Sequence, residues 1–377
     1  MSNLVETIDR LLGNTRGILK LKPNFVTRYY MDHARLGLGK APGDTYNSAV
    51  NRWVPERWIA STAQAAHPNP APGEGLSFLD VPGEPITLKD AITARSEAIL
   101  GPALACYAPM FPVLNKILDP HFPIVFHFHA RDEDVKNFPQ YFSRHKLGKE
   151  EAYYFLPRPK GPVPYTHLGL HRGVTRDDLS RAVEKGGDHA LELSPVAPQK
   201  FEEGMYVPSG VPHRPGTALT LEIQQPSDVS LHLDWYFMGK RKTPEQTHPG
   251  FDSIEESLQF VDFERAATRA VMEKNYLIPE LIEETRQVGQ GEEHWIFPPR
   301  MTPKFSGKRV RVTGTFEMTE PSPYALLVWS GRGQLNGTPI AAGDEFLVTH
   351  PAAVKAHHLK SEGSETLEVF KLFPPRA

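Results

Sequence analysis

Apolar positions in this chain fall in short runs rich in branched and aromatic side chains, and prolines and glycines interrupt them too often for a helical bundle. With 36 prolines and 29 glycines among 377 residues, the pattern predicts a β-dominated protein. Helical spacing emerges in only a few places. Leu4, Val5, Ile8, Leu11 and Leu12 form one stripe, with Asn3 as a candidate cap. Thr175-Arg176-Asp177-Asp178 reads as a capping sequence for a second helix whose inner face carries Leu179, Ala182 and Val183. A third helix is expected to start at Ser253 and to run through Leu258, Val261 and Phe263 to Lys274, followed by a shorter helical piece around Leu281 and Ile282. These segments divide the chain into an N-terminal helical part (1–24), a β region (25–245), a helical insert (246–290) and a C-terminal β region (291–377).

In the C-terminal region, Tyr324–Trp329, Gly333–Thr338 and Glu345–Val348 read as strands, and Asn336-Gly337 signals a tight hairpin turn. A small barrel or sandwich is expected there. His350, His357 and His358 lack any His-x-His grouping and are read as surface or packing residues.

The chemistry concentrates earlier. In Phe126-His127-Phe128-His129, alternation on a strand puts both imidazoles on one face and both phenyl rings on the other. Glu151, opening a second strand, and His213, after the turn Pro208-Ser209-Gly210-Val211-Pro212, would complete three nitrogens and one oxygen. Such a set suits zinc, iron, nickel or manganese. Glu133, four residues after His129, is the competing carboxylate; its acidic, proline-bounded surroundings favour Glu151 instead.

Composition narrows the possible partners. At this length, two domains or one domain with large insertions are expected. A formal charge of −3 gives no overall pull toward nucleic acid or an anionic membrane. The clusters Lys240-Arg241-Lys242 and Lys308-Arg309 read as solvated surface. A lone cysteine, Cys106, the charges within the first twenty residues and the lack of a long apolar run predict a cytoplasmic protein. A monomer or homodimer is expected.

Several segments, in order, resemble the type I mannose-6-phosphate isomerase family of the cupin superfamily. They are Glu56-Arg57-Trp58-Ile59-Ala60-Ser61, Phe111-Pro112-Val113-Leu114-Asn115-Lys116-Ile117-Leu118-Asp119, the His127 strand, Lys149-Glu150-Glu151, Val207–His213 and Leu221-Glu222-Ile223-Gln224-Gln225. The resemblance covers most of the chain after the N-terminal helix. It implies a mainly β fold with two cupin-like β-barrel or jelly-roll domains and helical insertions, the second domain lacking a metal site. It also implies His127, His129, Glu151 and His213 as ligands of Zn2+ or another divalent transition metal, with His127 in the place of the family's glutamine. Lys149 and Glu222 fall in the implied sugar pocket.

An arginine usual in the family shortly after the Glu-Ile-Gln segment is missing, and His232 stands in that stretch as a candidate proton carrier. Arg131 and Arg214, near the expected mouth, are candidate substrate contacts. The activity implied is interconversion of an aldose and a ketose, free or phosphorylated, through an enediolate. In it Glu222 acts as base, His232 as proton carrier and Lys149 as electrostatic partner. Two other readings use the same residues: a cupin metal oxygenase acting on a small organic acid, and a sugar-binding protein without turnover.

Overall fold

The computed structural model describes residues 2–27, 46–47, 52–53, 55–65, 70–83, 85–120, 122–157, 161–237, 240–268 and 270–376. The protein is mainly β, with several antiparallel sheets and short helices between them. The chain packs as two compact units: one draws on the N-terminal residues to Thr27, a stretch ending at Ile117 and Pro279–Ala377, and the other contains Leu118–Ile278. Among the described residues, no helix is long and apolar enough to cross a membrane.

Two larger sheets build most of the Leu118–Ile278 unit. One contains Tyr276–Leu277, Gly204–Val207, Glu151–Phe155 and Thr220–Gln224 in that spatial order, all antiparallel neighbours. The other runs Val196–Pro198, Tyr165–Leu168, His213–Arg214, His127–Phe128 and Leu231–His232. Phe126, Phe128, Tyr153, Phe155, Leu168 and Leu231 fill the apolar core. Helix Arg176–Lys185 starts where the sequence predicts: the Thr175 hydroxyl accepts from Asp178 N, and the Asp178 carboxylate accepts from Thr175 N.

The other unit has a seven-stranded antiparallel sheet ordered Ile18–Leu21, Glu345–Val348, Tyr324–Ser330, Leu367–Phe373, Ser306–Val312, Gly291–Phe297 and Glu280–Leu281. A four-stranded sheet accompanies it, made of Thr315–Met318, His357–Ser361, Arg332–Leu335 and Thr338–Ala341. Asn336-Gly337 forms the expected two-residue turn, joining Leu335 to its register partner Thr338 with φ of 49° and 83°.

Three local expectations change. The N-terminal helix spans Ser2–Asn14, so Asn3 lies in its first turn rather than capping it. The helix expected from Ser253 is correctly capped, the Ser253 hydroxyl accepting from Glu256 N, but it breaks into Ile254–Ser257, a 3-10 turn at Leu258–Phe260, Phe263–Ala266 and Val271–Asn275. Around Leu281 the chain is strand rather than helix, since Glu280 and Leu281 pair with Trp295 and His294. Tertiary pairing outweighs local propensity in both places.

Candidate metal centre

Each donor is delivered by a distinct backbone device. His127 lies on a short strand whose register sets it opposite His213 on one side and His232 on the other. Phe126 and Phe128 point into the core, each fully buried, which turns His127 and His129 to the other face. Glu151 opens its strand in the second sheet, opposite Val207 and Gln224. The turn before His213 is tied to His129 itself: Gly210 N donates to the His129 carbonyl at 2.7 Å. Gly210 has φ of 77°, and a Cβ there would lie 2.9 Å from Asp262 Cβ, so only glycine fits without strain.

His127, His129, Glu151 and His213 converge as the sequence predicts. Each offers one donor atom, these atoms all lie within 4.8 Å of one another, and all four residues are buried. Glu133, by contrast, is exposed on helix Asp132–Asn137 and meets Arg131 at 3.3 Å. The imidazole Nδ1 atoms of the three histidines face the carbonyls of Val125 at 2.7 Å, Val229 at 2.7 Å and Val211 at 3.0 Å. A carbonyl can only accept, so each Nδ1 carries the hydrogen and each Nε2 keeps its lone pair.

The inner faces crowd without pairing. His129 Nε2 is 3.3 Å and His213 Nε2 is 2.9 Å from Glu151 oxygens, yet neither nitrogen has a hydrogen-bond partner. Burial, reinforced by the neighbouring His213 and His129, pushes the His127 imidazolium well below its usual range. Burial, with Lys149 adding to it, lowers His129 to about 3. For Glu151, burial opposes ionisation, but the Lys149 ammonium overcomes it and holds the carboxyl well below the ordinary value. Neutral imidazoles at His127 and His129, the Nε2 face of His213 and one carboxylate therefore meet in a dry place. That is the protonation state a divalent metal such as Zn2+ requires of its ligands.

Lys149 and Glu222 lie beside this group. Lys149 Nζ is 2.7 Å from Glu151 Oε2 and 3.7 Å from Glu222 Oε1. Burial opposes the Lys149 charge, but Glu151, Glu222 and Asp228 raise its pKa above the ordinary value. Glu222 is buried on its strand opposite Tyr153, whose hydroxyl donates to Glu151 Oε1. His232 is register partner to His127, with ring centroids 6.1 Å apart. Arg131 is half-exposed and gripped by Asp134 through two contacts of 2.9 Å. Arg214, next to His213, donates from Nε to the Ile124 carbonyl at 3.2 Å.

Solved structures place this architecture. Over 94% of this chain and 99% of the other, it superposes on the mannose 6-phosphate isomerase of Bacillus subtilis with a TM-score of 0.67 at 19% identity. The chain has the fold of that enzyme. A variant of the Salmonella typhimurium phosphomannose isomerase gives 0.66 at 15% identity over 96% of this chain and 100% of the other. A zinc-bound mannose 6-phosphate isomerase gives 0.65 at 15%, again over 96% and 100%. No family model and no curated protein sequence matches the chain. Within this fold, the sequence had passed over one basic residue near the centre. Lys242, expected to be solvated surface, is only 8% exposed and sits against His232. Its place in a Lys-Arg-Lys run gave no signal of burial.

Proposed function

We propose that this protein is a metal-dependent aldose–ketose isomerase acting on mannose 6-phosphate or a related sugar. The observation that carries the reading is the buried His127–His129–Glu151–His213 group, with Lys149 and Glu222 against it, in the fold of the mannose 6-phosphate isomerases. Both halves of that statement are needed, because a fold alone does not fix an activity. The reading extends to two cupin-like barrels, a cytoplasmic location and a place in carbohydrate metabolism.

The four donors would hold the ion, which would supply Lewis acidity toward the adjacent carbonyl and hydroxyl oxygens of an open-chain sugar. The remaining steps belong to the chain. Glu222, beside the Lys149 ammonium, takes the proton from C2 of the aldose and returns it to C1, leaving an enediolate between the two transfers. Lys149 offsets part of the charge of Glu151 and Glu222 and would stabilise the oxygen on which negative charge develops. Burial of Glu222, at 3% exposure, keeps bulk water from the proton in transit. Arg214, beside a ligand, is the candidate contact for the far end of the substrate. Arg131 is a second candidate whose charge is already engaged by Asp134.

The test is to purify the protein, measure bound metal, and follow deuterium uptake at C2 of free and phosphorylated sugars in heavy water. Exchange is expected with at least one sugar, and Glu222→Gln should lower it about 10²- to 10⁴-fold while leaving metal content unchanged. A metal-replete protein that exchanges none of them would overturn the reading.

A further inference from the structure

Four imidazoles meet at this pole of the unit, and one is held differently from the others. The Nδ1 atoms of His127, His129 and His213 face carbonyls, whereas His232 Nδ1 lies 3.2 Å from Lys242 Nζ. An ammonium can only donate, so it demands a lone pair on Nδ1 and leaves the hydrogen on Nε2. His232 is thus set in the tautomer opposite to that of the ligand histidines. Its ring lies edge-on to His127, at 72° and 6.1 Å between centroids.

Lys242 is built into place. Its backbone N–H donates to the Trp235 carbonyl at 2.8 Å. Asp234, which accepts from Phe126 N at 2.7 Å, is the carboxylate whose charge acts on it. Arg214 and Asp188 act in turn on Asp234. Burial, only partly offset by Asp234, lowers the Lys242 ammonium to about 8, within reach of proton transfer near neutrality.

We propose that Lys242 is a positioning residue that fixes His232 as the Nε2–H tautomer and completes a proton relay to the substrate oxygens. This rests on the isomerase reading for its kinetic consequence, though the tautomer does not. As Nε2 gives its proton to the developing oxyanion on one sugar oxygen, Nδ1 takes one from Lys242. The imidazole stays neutral and Lys242 becomes a neutral amine. The reverse passage accepts the proton of the neighbouring hydroxyl at Nε2 and returns the Nδ1 proton to Lys242. One proton has moved between two oxygens, and both side chains are restored.

The experiment is nitrogen-15 NMR of the histidine-labelled, metal-loaded protein, with His232 assigned by loss of its signals in His232→Gln. In the wild type, His232 should show an unprotonated Nδ1 and a protonated Nε2, and Lys242→Met should abolish that preference. The same variant should lower kcat roughly tenfold at little change in KM, a fraction of what a full general acid contributes. Lys242→Arg, which donates but holds its proton, should restore the tautomer and not kcat. A wild-type His232 carrying hydrogen on Nδ1, a tautomer indifferent to Lys242→Met, or full kcat in Lys242→Arg would overturn the proposal. If the metal-loaded wild type turns over no sugar, the isomerase reading fails while the NMR comparison still judges Lys242.

Discussion

Both units bury charged and ionisable side chains, and they resolve the cost in opposite ways. In the unit containing Pro279–Ala377, Lys371 and Lys308 alternate with Glu293 and Glu320. Lys308 Nζ is 3.2 Å from Glu293 and 2.7 Å from Glu320, and Lys371 reaches both carboxylates. Two cations meet two anions, and Tyr324 and His357 close the group with a hydroxyl–imidazole contact of 2.5 Å. At the pole of the other unit, three imidazoles and a carboxylate turn their inner atoms toward one point, and His129 Nε2 and His213 Nε2 have no hydrogen-bond partner. A buried polar atom without a partner costs on the order of 1–3 kcal/mol. The first group is satisfied by its own members; the second becomes satisfied when a cation joins it. A buried charge is therefore a functional signal only when its own neighbours leave it incomplete.

Removing one member from each group is the sharpest way to break this comparison. Glu151→Gln keeps the shape of the site but removes its only anionic donor, so bound metal should fall to background. Sugar exchange should fall roughly 10³-fold, since Lewis-acid stabilisation is worth several kcal/mol. Retention of stoichiometric metal would contradict the assignment of Glu151. Lys371→Met strands two carboxylates beside a single lysine, and a broken buried ion group typically costs about 3–5 kcal/mol. Hydrogen exchange should show that loss in strands Ser306–Val312 and Leu367–Phe373, with metal content unchanged; a concurrent loss of metal would mean the two groups are not independent.

Acid titration separates the groups more gently. In metal-free protein, His129 is lowered to about 3, so between its ordinary 6.5 and that value the unfolded chain binds a proton that the folded chain refuses. Stability from this residue is present above pH 6.5 and is lost as pH falls toward 3, at up to about 1.4 kcal/mol per pH unit. Burial resists ionisation of Glu293, but Lys371 and Lys308 lower it to about 2 from 4.5, so its contribution is lost only between those values. Peptide-resolved exchange, corrected for intrinsic rates, should find the Leu118–Ile278 unit loosening first on acidification. The opposite order would remove the distinction between the groups.

Much of the candidate metal centre is legible in the chain because its signals are local. Strand alternation fixes which way His127 and His129 face relative to Phe126 and Phe128, and a proline- and glycine-bounded turn prepares His213. The Asn336-Gly337 hairpin and the Thr175 cap were readable for the same reason, since each is decided within a few residues. The basic runs were misread. Lys242, Lys308 and Arg309 are all buried, although a run of basic residues in isolation reads as solvated.

The sequence by itself determined the β character, the turn chemistry and which side chains, His127, His129, Glu151 and His213, are candidates to meet as donors, because residue type and short-range spacing carry those properties. Tertiary structure alone decided that the helix expected after Ser253 breaks into pieces and that Lys308 finds Glu293 and Glu320. It also decided that Lys242 meets His232. Those outcomes depend on which strands become neighbours and what they exclude from water. A charge is tolerable in the interior only once the fold has brought its partner, and no local pattern reports who that partner will be.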